Sequence, residues 1–155
     1  MSNWFQCTLD YVKQNEDGGE FKVKEPSIVD AINFTEAERR IIEEKAPYIR
    51  GAFEVKDIKR VNYIDVFDTT DGDADKFYRV KLEFITLDER SGKEKKTSAF
   101  YLVQASDFED AVARLKTRMA GSIMDYSIFS IAETKITDIY HYQPPTPKNL
   151  KKVEA

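Results

Sequence analysis

Lys56, Lys59 and Arg60 stand just ahead of Asn62 and Tyr63 in the stretch Val55-Lys-Asp-Ile-Lys-Arg-Val-Asn-Tyr63, and Tyr78-Arg79-Val-Lys81 sets aromatic beside basic residues again. Lysine neutralises phosphate as a point charge, arginine offers a planar fork of donors, and a tyrosine ring gives a nucleobase a face to stack on. The candidate binding residues are therefore Lys56, Lys59, Arg60, Asn62, Tyr63, Tyr78, Arg79 and Lys81, with Lys93-Glu-Lys-Lys96 close by. A sheet whose outer face carries ordinary solvated charge would use the same residue types. Both readings stay open at this level.

Catalytic chemistry has less to work with. His141 is the single histidine and Cys7 the single cysteine, so neither an imidazole nor a thiolate cluster can gather around zinc, and no intramolecular disulfide can form. Cys7 alternates with Leu9 and Tyr11 and reads as a small buried hydrophobe. No glycine-rich phosphate loop or nucleophile elbow occurs, and Glu36, Glu38, Glu43 and Glu44 suit helix capping and solvation. Asp68-Thr-Thr-Asp-Gly-Asp-Ala-Asp75 places aspartates at alternate positions, yet Lys76 stands where a calcium loop needs glycine. It reads as a solvated acidic turn. The expectation is a non-enzyme with no metal and no cofactor.

The elements that must position these residues come twice. Val29-Asp-Ala-Ile-Asn-Phe-Thr-Glu-Ala37 is similar to Val103-Gln-Ala-Ser-Asp-Phe-Glu-Asp-Ala111, and Ile64-Asp-Val-Phe67 to Thr137-Asp-Ile-Tyr140, at offsets of 74 and 73 residues. In the first unit Phe5, Cys7, Leu9 and Tyr11 alternate as a half-buried strand, Asp17-Gly18-Gly19 turns the chain, and Phe21 to Ile32 returns it. Pro26 calls for an edge position or a bulge. Thr35-Glu-Ala-Glu38 reads as a capping box for a helix with Ala37, Ile41 and Ala46 inward, and Pro47 ends its regular part. A strand from Phe53 to Phe67 follows, its alternation slipping at Lys56-Asp57 as at a bulge.

The second unit repeats this order. Phe77 to Asp88 and Glu94 to Ala105 form a hairpin around Glu89-Arg-Ser-Gly-Lys93, and Ser106-Asp-Phe-Glu109 opens a helix with Ala111, Leu115 and Met119 inward. Gly121 suits its end. The final strand, Ser127 to Tyr142, slips between Ile131 and Ile136. The expected fold class is α+β: two tandem β-β-α-β repeats in one pseudo-twofold antiparallel sheet, with both helices on one face.

The expected boundaries are a single domain over 1–143, with repeat one at 3–67, the acidic linker at 68–76 and repeat two at 77–143, then a flexible tail over 144–155. The 155 residues, 41% of them apolar, suffice for one core. A net charge of −4 argues against polyanion binding over the whole surface and leaves room only for a local basic patch. No apolar run approaches the roughly 20 residues that span a bilayer, and the first residues lack a signal sequence. The expectation is a cytoplasmic protein with no membrane partner.

Trp4-Phe5, Val29 to Glu38, Asp57-Ile-Lys-Arg-Val-Asn-Tyr63, Phe84-Ile-Thr-Leu-Asp88 and Ser130-Ile-Ala-Glu133 resemble domain of unknown function 4494, a family of Bacteroidetes and of their phages and mobile elements. The resemblance runs to about Tyr142 and implies a provenance; no catalytic residue comes with it. The paired units also look like those of Whirly and Pur-type proteins, which bind single-stranded nucleic acid across a sheet. Those place four strands before each helix, whereas this chain has two before and one after. Three functions follow as expectations: a single-stranded nucleic-acid binding module in a phage or mobile-element context, a protein sequestering a nucleotide signal, or an adaptor without ligand.

Overall fold

Two hairpins set the frame, and each turns on a glycine at positive φ. In the computed structural model, which describes residues 3–142, β1 (Trp4–Gln14) and β2 (Glu20–Asp30) meet at Gly18 with φ 87°, while β5 (Lys76–Leu87) and β6 (Glu94–Ala105) meet at Gly92 with φ 68°. Both pairs are antiparallel along their length.

Each hairpin runs into a helix, α1 (Phe34–Lys45) or α2 (Phe108–Arg118). The caps are shifted from the expected boxes: α1 is capped two residues earlier, by Asn33 rather than Thr35, and α2 one residue later, by Asp107 rather than Ser106. Asn33 Oδ1 accepts the Glu36 amide at 2.9 Å while Glu36 Oε1 accepts the Ile32 amide, and Asp107 Oδ1 accepts the Asp110 amide at 2.7 Å while Asp110 Oδ2 accepts the Ser106 amide. Asn and Asp are at least as good caps as Ser or Thr. Here they lead a phenylalanine that is itself the first helical residue. Pro47 falls in a short 3-10 turn, Ala46–Tyr48, directly after α1.

The buried stripe of α1 is Ala37, Ile41 and Lys45, so a lysine takes the place expected of Ala46. Ala37 and Ile41 pack on Phe5, Cys7, Leu9 and Val29. Ala111 and Leu115 of α2 pack on Tyr78, Val80, Leu82, Tyr101 and Val103, with Met119 partly buried beside them. Each fully buried Leu, Ile or Val contributes roughly 1.5–3 kcal/mol, so each helix is held by its own cluster.

The expected single antiparallel sheet is in fact two mixed sheets, with strand orders β3-β1-β2-β8 and β4-β6-β5-β7. The cause is that both expected long strands are cut. Phe53 to Phe67 divides at Asn62 into β3 (Phe53–Val61) and β4 (Tyr63–Phe67), and Ser127 to Tyr142 divides into β7 (Asp125–Glu133) and β8 (Asp138–Tyr140). β3 and β7 pair antiparallel with β1 and β5. β4 and β8 each cross to the other sheet, where they run parallel to β6 and β2. The second crossing is pinned at both ends: the Thr134 amide and hydroxyl donate to Phe77 O at 2.8 Å, and the Thr137 amide donates to Pro26 O at 2.8 Å.

The helices therefore lie on separate sheets. A third cluster, Trp4, Ile28, Val66, Phe77, Leu102 and Ile136, joins the sheets. Pro26 lies just beyond Ser27–Val29, the part of β2 that β8 covers, and so keeps an edge position. The bulge expected at Lys56-Asp57 is present: Thr8 pairs with Asp57 and Leu9 with Val55, leaving Lys56 over. In the second half the phase slip at Ile131 to Ile136 is the strand break itself, and the bulge lies earlier, at Phe129.

Candidate nucleic-acid interface

Along β5 the side chains alternate between two environments. Tyr78, Val80 and Leu82 point into the cluster beneath α2, which turns Arg79, Lys81 and Glu83 to the opposite face of the sheet. Lys81 pairs with Phe100 on β6, and Phe100 with Tyr63 on β4. On the other side Lys81 pairs with Ser130, and the extra residue of the bulge, Phe129, stands next to it. Bulges re-aim side chains. Here the Lys81 ammonium lies 4.5 Å from the Phe129 ring centroid and 5.9 Å from that of Phe100.

The result is a row across four strands: Tyr63, Phe100, Lys81, Phe129. Phe129 is 61% exposed and Phe100 36%. With neighbouring strands roughly 4.8 Å apart, the two phenylalanines are separated by about 10 Å, with the cation between them. Arg79 is exposed one step along the same face, between Leu102 and Ala132. Burial raises the Tyr63 phenol pKa, and nearby Arg79 pulls the other way. Glu83, between Ser98 and Ser127, marks the acidic limit of this surface.

The eight residues singled out from sequence are not all brought together. Tyr63, Arg79 and Lys81 meet on this face. Tyr78 is 5% exposed under α2 and has no ring face to offer a ligand. Lys56 is the exposed bulge residue of β3, and Lys59, opposite Gln6, lies on the helix-free face of the other sheet. Arg60 lies opposite Phe5 on the α1 side, where its guanidinium donates to Asn3 Oδ1 at 2.7 Å and sits 5.9 Å from the Phe5 ring. Asn62 is the exposed residue between β3 and β4. Phe100 and Phe129 were missed by sequence reasoning. Their signals were an apolar run, Ala99 to Val103, with no polar alternation, and a phenylalanine that breaks the Tyr126, Ile128, Ile131 pattern.

A second polar cluster was equally hidden. Lys45, 4% exposed, donates to Glu25 Oε2 at 2.9 Å and to Asp138 Oδ2 at 2.5 Å, and Tyr11 donates to Glu25 Oε1 at 3.3 Å. Burial alone would depress the lysine's pKa, but the hydrogen bonds to Asp138 and Glu25 outweigh it and raise the pKa above the ordinary value. The Cys7 thiol is pushed up to about 12 by burial, with Asp57 and Glu38 adding to it, and is protonated at neutral pH. His141 is tied by Nε2 to Asp68 Oδ2 at 2.8 Å and edge-on to Trp4, while its carbonyl accepts from Arg40. In the acidic linker, Asp71 accepts from Arg114 at 2.8 Å and from the Asp73 amide.

Fold and surface together define a small α+β protein with an aromatic and basic sheet face. The chain belongs to the family described as Domain of unknown function (DUF4494), which it matches over residues 3–142. No curated protein matches its sequence. Among the described residues, no helix is long and apolar enough to cross a membrane.

Proposed function

We propose that this protein is a non-enzymatic binding module for single-stranded nucleic acid, and that the strand lies on the helix-free face of the β4-β6-β5-β7 sheet, around Lys81 and beyond the part that Phe77, Leu102 and Val66 bury against the other sheet. The observation that carries this reading is Lys81 held between the rings of Phe100 and Phe129 on an exposed face. Two rings about 10 Å apart offer stacking to bases, worth roughly 1–3 kcal/mol each and tolerant of sequence. Lys81 and Arg79 supply charge for the phosphates between them. A single strand suits this face because its bases are free to unstack, whereas those of a duplex are not.

The same scaffold supports a repeat reading. β1-β2-α1-β3 and β5-β6-α2-β7 have the same order and pairing, and β4 and β8 are then equivalent strands exchanged between two halves related by a pseudo-twofold axis. On that reading the two faces have diverged. Lys81, Phe100 and Phe129 correspond by register to Thr8, Pro26 and Lys56, so only one half carries the rings. A phage or mobile-element setting, with transient single strands to hold, would suit such a module.

Fluorescence anisotropy of a labelled single-stranded oligonucleotide, titrated at several salt concentrations, tests the proposal. Binding should weaken with salt, with a logarithmic slope of roughly −0.7 for each phosphate neutralised, and Lys81→Ala should shallow that slope by about one such unit. Absence of binding in low salt, or a slope unchanged by Lys81→Ala, would overturn it.

A further inference from the structure

On the other sheet, at the end away from the junction of the two sheets, a cavity of about 440 Å³ opens between β1, β2 and β3. Asp10, Val12, Lys22, Lys24, Glu54 and Lys56 line it, and the register explains why: Asp10 pairs with Lys24 on one side and Glu54 on the other, Val12 pairs with Lys22, and Lys56 is the bulge residue. Asp10 Oδ1 is buried there and receives no hydrogen bond from any described residue. The three lysines are exposed, and none forms a salt bridge with a described residue.

An unpartnered carboxylate oxygen is costly, since it has lost water without gaining a donor. It favours a ligand that brings N–H groups. The surrounding lysines favour a ligand that also brings negative charge. A small molecule with both is a nucleotide whose base presents two adjacent donors, and among the common bases guanine does so, through its ring N–H and its exocyclic amine. Adenine and uracil each face a carboxylate with at least one acceptor beside any donor. The cavity volume falls within the usual range of roughly 300–1,000 Å³ for small-molecule sites.

We infer that this cavity is a guanine-nucleotide site, in which Asp10 reads the donor edge of the base and Lys22, Lys24 and Lys56 hold the phosphate. The site is separate from the aromatic face. Its ligand is a mononucleotide or a guanine within a strand, and the two sources are distinguished by comparing the free nucleotide with oligonucleotides.

Calorimetric titration of the wild-type protein with guanosine, inosine and adenosine monophosphates tests the assignment. Guanosine monophosphate should bind at least about tenfold more tightly than adenosine monophosphate, with inosine, which lacks the exocyclic amine, in between. Asp10→Asn, which turns one acceptor into a donor, should bring the ratio to about one. Lys24→Ala should weaken all three nucleotides and leave their ratios unchanged. If only a guanine-containing oligonucleotide shows the Asp10-dependent preference, the ligand is a strand, and the site still stands.

Equal affinities in the wild type for guanine and adenine ligands, mononucleotides and oligonucleotides alike, or a preference that survives in a folded Asp10→Asn protein, would overturn it. Lys81→Ala separates the two proposals. It should impair oligonucleotide binding on the aromatic face and leave the guanosine monophosphate titration as it was.

Discussion

Lys45, on the last turn of α1, and Asp138, at the start of β8, are 93 residues apart in sequence and form an ion pair that holds the final strand against the first half. Glu25 completes it from β2, and Thr137 donates to the same Asp138 oxygen at 3.0 Å. β8 has only three residues, so this side-chain tie supplements a short backbone ladder.

Lys45→Ala should therefore destabilise the protein by about 3 kcal/mol, because Glu25 is left largely buried without its partner. Under the proposed repeat, Lys45 and Glu25 correspond to Met119 and Ala99. The double variant Lys45→Met with Glu25→Ala should recover most of the loss, since it removes the two more buried charges and leaves only the half-exposed Asp138 carboxylate. Chemical denaturation of the three proteins measures both effects. The pair also sets a pH expectation: with the lysine's pKa raised from 10.5, its contribution is fully present below that value and is lost only as pH rises through the higher folded value.

Acid should act elsewhere. Asp110 accepts from the Ser106 amide and from Arg114, and Asp71 accepts from Arg114 and the Asp73 amide, so both carboxyls have pKa values lowered from 3.8. Their contribution is present above the unfolded value and is lost as pH falls through the lower folded values. Asp110→Asn should be less stable than wild type at pH 7, and the gap should close below about pH 4. Thermal melts across pH 2–7 report it.

The hairpins and helices were legible because their signals are local. Gly18 and Gly92 announce turns, and the four-residue spacing of Ala111, Leu115 and Met119 announces a helix. The exchange of β4 and β8 between sheets was not legible, because partner choice depends on contacts dozens of residues away. Alternation through Asn62 reads as one strand whichever sheet receives Tyr63. Lys45 was missed because a lysine in a helical pattern reads as surface, and its burial depends on Asp138. At the candidate site, Arg79 and Lys81 were visible as a basic pair, but the bulge that brings Phe129 beside them depends on register with β5.

Turn geometry gives a sharper local test. Gly92 has φ 68°, whereas Gly121 is not in the positive-φ region, and a Cβ at either position would meet nothing. Gly92→Ala should cost about 1 kcal/mol from backbone conformation alone. Gly121→Ala should be close to neutral, and equal losses for the two would contradict the assigned turn.

The central claim is that the rings on the β4-β6-β5-β7 face stack on nucleobases. Phe129 and Phe21 are both exposed phenylalanines, at 61% and 43%, but Phe21 lies on β2, in the other sheet from Lys81. The most direct measurement is the affinity of a single-stranded oligonucleotide for wild type, Phe129→Ala and Phe21→Ala at one low salt concentration. Loss of one stacked base is worth roughly 1–3 kcal/mol, so Phe129→Ala should weaken binding about tenfold or more while Phe21→Ala leaves it unchanged. Equal affinities for the three folded proteins would contradict the claim.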